Sequence, residues 1–152
     1  DPARAIAGPQ ARPADLKNGK KLYVAAQCSR CHRLGEQGKM LGPDLTNVSS
    51  RFSRQALLES IVEPSKVIDD KYRSFQILTT SGQAVTGQYV GGDAESLFVA
   101  GDPLNLSQFQ VVKRKEIESR KPSPISIMPA GLANVVTADD VYDLLSYIEQ
   151  VK

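Results

Sequence analysis

The segment Cys28-Ser29-Arg30-Cys31-His32 contains both cysteines and the only histidine of the chain. Two thiols three residues apart can face one side of a helical turn, and the adjacent histidine brings an imidazole to the same place. C-x-x-C-H is the signature of c-type haem attachment. In that chemistry each thiol adds across one haem vinyl group and the imidazole ligates the iron. Other chemistries use only part of the cluster. A disulfide or a thioredoxin-like redox pair needs C-x-x-C and leaves the histidine without a task. Tetrahedral zinc needs four ligands, more than the cysteines and histidine of this chain supply. A Cys–His nucleophile pair draws its histidine from elsewhere in the sequence as a rule. Haem attachment is the reading that uses all three residues.

Haem iron needs a sixth ligand or an open position, and the chain offers two methionines. Met40 follows His32 closely, in the loop Glu36-Gln37-Gly38-Lys39-Met40, and is expected to stay on the proximal side. Met128 is distant in sequence, within Ser126-Ile127-Met128-Pro129-Ala130-Gly131. Pro129 restricts the residue before it toward extended backbone, which suits a loop that presents a thioether to a metal. Met128 is therefore the expected axial partner of His32, although methionine is more often core filler. His/Met ligation raises the reduction potential, as suits an electron carrier.

These residues need elements to position them. At 152 residues the chain suits one domain, or one domain with a sizeable insertion. No run approaches the length of an apolar membrane span. The net charge of +2 comes without a basic block, which argues against nucleic acid as a partner. Residues 1–14, rich in proline and alanine, read as a linker. Helical periodicity predicts helices over 15–27, 54–63 and 138–150, with Asp15, Ser53 and Thr137 as N-caps and Asp140 completing a capping-box-like pair. Gly42-Pro43-Asp44-Leu45 reads as a turn.

The middle of the chain differs in kind. Tyr72–Thr80, Ala84–Val90, Leu97–Ala100 and Leu106–Lys113 are short, β-branched and aromatic segments separated by turn residues. They predict a small antiparallel β unit with four strands, a structural flap, a shield for the haem edge or a docking surface.

The ordered set of Gly19 and Tyr23, the C-x-x-C-H motif, Gly42-Pro43-Asp44-Leu45, Met128-Pro129 and Asp143-Leu144-Leu145-Ser146-Tyr147 resembles a class I cytochrome c. More narrowly, the chain resembles a haem-binding domain found in planctomycetes and verrucomicrobia (Pirellula/Verrucomicrobium type), often at the C-terminus of large multidomain proteins. Leu57-Leu58-Glu59-Ser60-Ile61, Glu63-Pro64-Ser65 and Ser126–Leu132 carry that likeness. The resemblance implies a mainly α fold over 15–152, with an antiparallel β insertion at about 71–120, between the fold's third helix region and the axial methionine loop. It implies that Gly19 and Tyr23 of the first helix cross Leu144 and Tyr147 of the last. It also implies haem-binding roles for Gly42 and Leu45, and a Pro43 carbonyl that accepts the second ring proton of His32.

The expected function is one-electron transfer by a single haem c, bound through Cys28 and Cys31 and ligated by His32 and Met128. The chain would then be an electron carrier and not an enzyme, either by itself or as a domain excised from a larger redox enzyme. Its partners would be a dehydrogenase domain, an oxidase or another cytochrome. The alternative is a haem-based gas sensor or small peroxidase in which Met128 leaves the iron. Thioether attachment implies a site outside the cytoplasmic membrane, most simply a bacterial periplasm. A leader or larger upstream chain is then expected to have been removed before Asp1.

Overall fold

Asp15 opens the first helix, α1 (Leu16–Ala25), by accepting from the backbone N–H groups of Lys17 and Asn18, both at 3.0 Å. Ser53 does the same for α2 (Arg54–Val62) through the Ala56 N–H at 3.2 Å. Thr137 and Asp140 form a reciprocal capping box at the start of α3 (Ala138–Gln150). The computed structural model describes residues 12–152, so most of the segment read as a linker, 1–11, lies outside the described residues. Pro64 follows the end of α2 directly after Glu63. No helix among the described residues is long and apolar enough to cross a membrane.

The chain divides into two units, one running up to Lys66 and resuming over Pro129–Lys152, the other Val67–Met128. In the first, α1 lies against α3. A Cβ on Gly19 would collide with the Asp143 carbonyl and stand 2.6 Å from the Tyr147 Cβ, so only glycine admits this approach. Tyr23 meets Tyr147 edge-on, with ring centroids 6.1 Å apart. Leu34, Val48, Leu57, Leu58, Leu144 and Leu145 complete the buried core around them.

The second unit corrects the expectation of a mainly α fold. Its five strands hold nearly as many residues as the three α-helices: β1 (Phe75–Thr79), β2 (Ala84–Gly92), β3 (Ser96–Ala100), β4 (Gln110–Lys113) and β5 (Ile117–Pro122). All pairings are antiparallel, in the order β4-β3-β2-β1-β5. The expected fourth strand is shorter because Asn105–Gln108 closes a turn, the Gln108 N–H donating to Asn105 O at 3.1 Å. The fifth strand was not among those expected. Its sequence, Ile-Glu-Ser-Arg-Lys-Pro, has no apolar alternation, as suits a charged edge strand with a single neighbour.

The two edge strands, β4 and β5, are joined by the short turn Arg114–Glu116 alone. Five strands laid flat would put the edges roughly 19 Å apart, at about 4.8 Å per gap. Four residues of chain reach at most about 14 Å, so the sheet must curl. A register shift between Tyr89 and Gly91 in β2 provides one bend. Ile77, Val85, Leu97, Val99 and Val112 fill the inside of the curl. Tyr89 packs against this cluster, Phe75 stacks on its ring at 4.7 Å and Arg120 lies over both rings, while Phe98 stacks on Phe109 at 5.0 Å.

Candidate haem-attachment site

Helix α1 stops at Ala25, and Gln27 takes a left-handed conformation with φ 64°. That reversal leads directly into the single 3-10 turn Cys28–Arg30, closed by Cys31 N–H and His32 N–H donating to Cys28 O at 3.2 and 2.9 Å. Both thiols are free and partly buried. Burial pushes the Cys28 thiol up to about 11. Burial also raises Cys31, with Arg30 and Lys39 pulling the other way. Both are therefore neutral thiols near neutral pH.

His32 is held at three points. Its backbone N–H is tied into the turn. Its carbonyl accepts from the hydroxyl of the fully buried Tyr23 at 2.7 Å. Its Nδ1 lies 2.8 Å from the Pro43 carbonyl. A carbonyl can only accept, so Nδ1 carries the proton and Nε2 keeps its lone pair for a metal. Burial lowers the histidine's pKa more than the Pro43 contact raises it, which keeps the imidazole neutral.

The loop after the motif folds back on it. Leu41 and Gly42 N–H both donate to Cys31 O, at 3.0 and 2.7 Å, and Lys39 N–H donates to Ser29 O at 3.2 Å. This places Gly42 flat against the imidazole: a Cβ there would stand 2.9 Å from His32 Cε1 and 3.1 Å from Nδ1. The turn that carries Pro43 is fixed in its own right. Leu45 N–H donates to Arg33 O at 2.8 Å, Arg51 donates to Asp44 O at 2.8 Å, and the Asp44 carboxylate accepts from Thr46 N–H at 2.8 Å. Leu45 itself packs against the helical core.

Cys28, Cys31, His32, Gly42, Pro43 and Leu45 thus belong to one unit. Residues 16–90 match the family model for cytochrome c. That part of the chain is similar to cytochrome c domains, which hold covalent haem c and transfer electrons. Cytochrome c domains are in general electron carriers that work with redox proteins. The match ends inside β2, so the outer strands, the Met128 loop and α3 lie beyond it. No curated protein matched the chain.

The two methionines are placed differently. Met40 is exposed, with Arg33 Nη1 reaching its sulfur at 3.8 Å. Met128 is partly buried and closes the sheet unit, its N–H donating to Ser126 Oγ at 3.1 Å. Sequence reasoning put Tyr23 on the inner face of α1 but did not assign its hydroxyl. Helical phase marks the inner face and leaves the acceptor at its end open.

Proposed function

We propose that this protein is a one-electron carrier whose haem c is held by Cys28 and Cys31 and ligated by His32 and Met128. The observation that carries the reading is the His32 imidazole, turned by the Pro43 carbonyl so that Nε2 is free beside two unpaired thiols. The residues present fit the group. The glycine face at Gly42 leaves the ring its place, and the motif's backbone is fixed before any ligand binds.

Bound haem supplies an iron that takes up and gives back a single electron. Cys28 and Cys31 would anchor it through thioethers, each thiol adding across one vinyl group with sulfur to one carbon and hydrogen to the other, a balanced addition that needs no oxidant. His32 donates its Nε2 lone pair, and the Pro43 carbonyl increases that donation by accepting at Nδ1. Tyr23 holds the backbone behind the ring, which limits movement between redox states. Met128 supplies the thioether that raises the potential. The fuller reading is a periplasmic domain of the planctomycete and verrucomicrobial type, exchanging electrons with a dehydrogenase domain, an oxidase or another cytochrome.

The test is the absorption spectrum of the purified protein, reduced with ascorbate, with and without CO. A low-spin c-type spectrum indifferent to CO is expected. A spectrum that shifts with CO would overturn the closed His/Met site and favour a gas sensor or peroxidase. An absence of haem bands would return the cluster to thiol chemistry.

A further inference from the structure

The loop that carries Met128 is rooted inside the sheet unit. Ser123 N–H donates to Ser74 O at 2.8 Å, and both residues are buried. Ser74 directly precedes β1 and Ser123 directly follows β5. The bond therefore ties the point where the chain leaves the sheet to the point where it arrives. Arg73 covers this tie. Its Nη2 donates to Ile68 O at 2.9 Å, its Nε to Asp70 Oδ1 at 3.0 Å, and its Nη1 reaches Ser123 O at 3.5 Å. Beyond it, Ser123 Oγ accepts from Ile125 N–H and donates to Ile125 O, each at 3.2 Å. The Ser126 hydroxyl then accepts from Met128 N–H.

This clasp lies outside the strand ladder, whose last β1–β5 pair is Phe75 with Pro122. Its hydrogen bonds accordingly add order to the loop that follows and little to the register of the sheet. A thioether is a weak, neutral ligand, so its retention depends on how narrowly its loop is confined before it binds.

We propose that Arg73 and Ser123 are positioning residues for the axial ligand: Arg73 covers the backbone tie between the exit and the entrance of the sheet, the Ser123 hydroxyl fixes the first turn of the loop beyond it, and together they pre-order Ser123–Met128 and keep the Met128 thioether on the iron. The inference rests on the His32/Met128 reading above.

The test uses the haem-loaded protein and two optical readouts, the red charge-transfer band of ferric iron bound to thioether and the rate of CO binding to the ferrous form. Arg73→Ala and Ser123→Ala should weaken the band and speed CO binding roughly five- to tenfold, the equivalent of one hydrogen bond. Ser123→Thr, which keeps Oγ, should behave as the parent. Asp93→Ala is the control, because Asp93 caps the far β2–β3 turn by accepting from Glu95 and Ser96 N–H at 2.8 and 2.7 Å. It should loosen the sheet and leave both readouts unchanged. An equal response from Asp93→Ala would overturn the proposal, since general loosening would then explain the effect. Clasp variants indistinguishable from the parent would overturn it while leaving Met128 ligation standing. A parent protein that lacks the band and binds CO freely would overturn the ligation reading, and this proposal with it.

Discussion

The helical and sheet units differ in what surrounds the largest polar side chains of their cores. In the helical unit, the Asp143 carboxylate is 3% exposed, yet it accepts from Arg12, from the Asp15 N–H and from Asn18, each at 2.9 Å. The buried Tyr23 hydroxyl is satisfied by His32 O. In the sheet unit the core is aliphatic, and the Tyr89 hydroxyl is buried without a partner, the only such side-chain atom among the described residues. Each interior specifies something different. Hydrogen bonds are directional and place an atom, as the orientation of His32 requires. Aliphatic burial fixes area and volume, which suffices for a curled sheet.

If the contrast holds, removing Asp143 or the Tyr23 hydroxyl should cost stability, and removing the Tyr89 hydroxyl should not. The largest effect is expected from Asp143→Ala, which leaves the Asp15 N–H and the Asn18 amide without their acceptor. It should lower unfolding free energy by about 2–3 kcal/mol in denaturant titration, with little of that from the half-exposed Arg12 pair. Burial alone would raise the Asp143 pKa, but Arg12, Asn18 and the Asp15 N–H together hold it below the ordinary carboxylate range. Its contribution is therefore complete above the ordinary aspartate pKa of about 3.9 and is lost as pH falls through the lower folded value. Asp143→Asn should flatten that acid limb of stability; an unchanged limb would mean that another carboxylate governs it.

A smaller loss is expected from Tyr23→Phe, which orphans the His32 carbonyl at a cost of about 1–2 kcal/mol. Because that carbonyl belongs to the ligand residue, the reduction potential should shift as well. A stability loss with an unmoved potential would make Tyr23 packing alone. The smallest effect should have the opposite sign. Tyr89→Phe removes the orphaned hydroxyl and should leave stability unchanged or raise it by up to about 1 kcal/mol. A clear destabilisation would break the comparison.

The helices were legible because their signals are local. Asp15, Ser53 and Thr137 cap a chain that is already turning, so type and position within a few residues decide the helix start. The first four strands were legible through their β-branched and aromatic content and the turn residues between them. The fifth strand was not, since an edge strand such as Ile117–Pro122 owes its conformation to the neighbour it pairs with. The balance of α and β was misjudged for the same reason. The Arg73–Ser123 clasp joins residues fifty positions apart and leaves no pattern to read.

By itself the sequence determined the chemistry available. Cys28, Cys31 and His32 stand adjacent in the chain, and covalent neighbourhood alone brings them to one turn. Only the tertiary structure decided how that chemistry is aimed. The Pro43 carbonyl, the Gly42 face and the Tyr23 hydroxyl reach His32 from other segments of the chain. Such contacts arise when burial drives those segments together, and hydrogen-bond direction then selects one arrangement among those the core would accept.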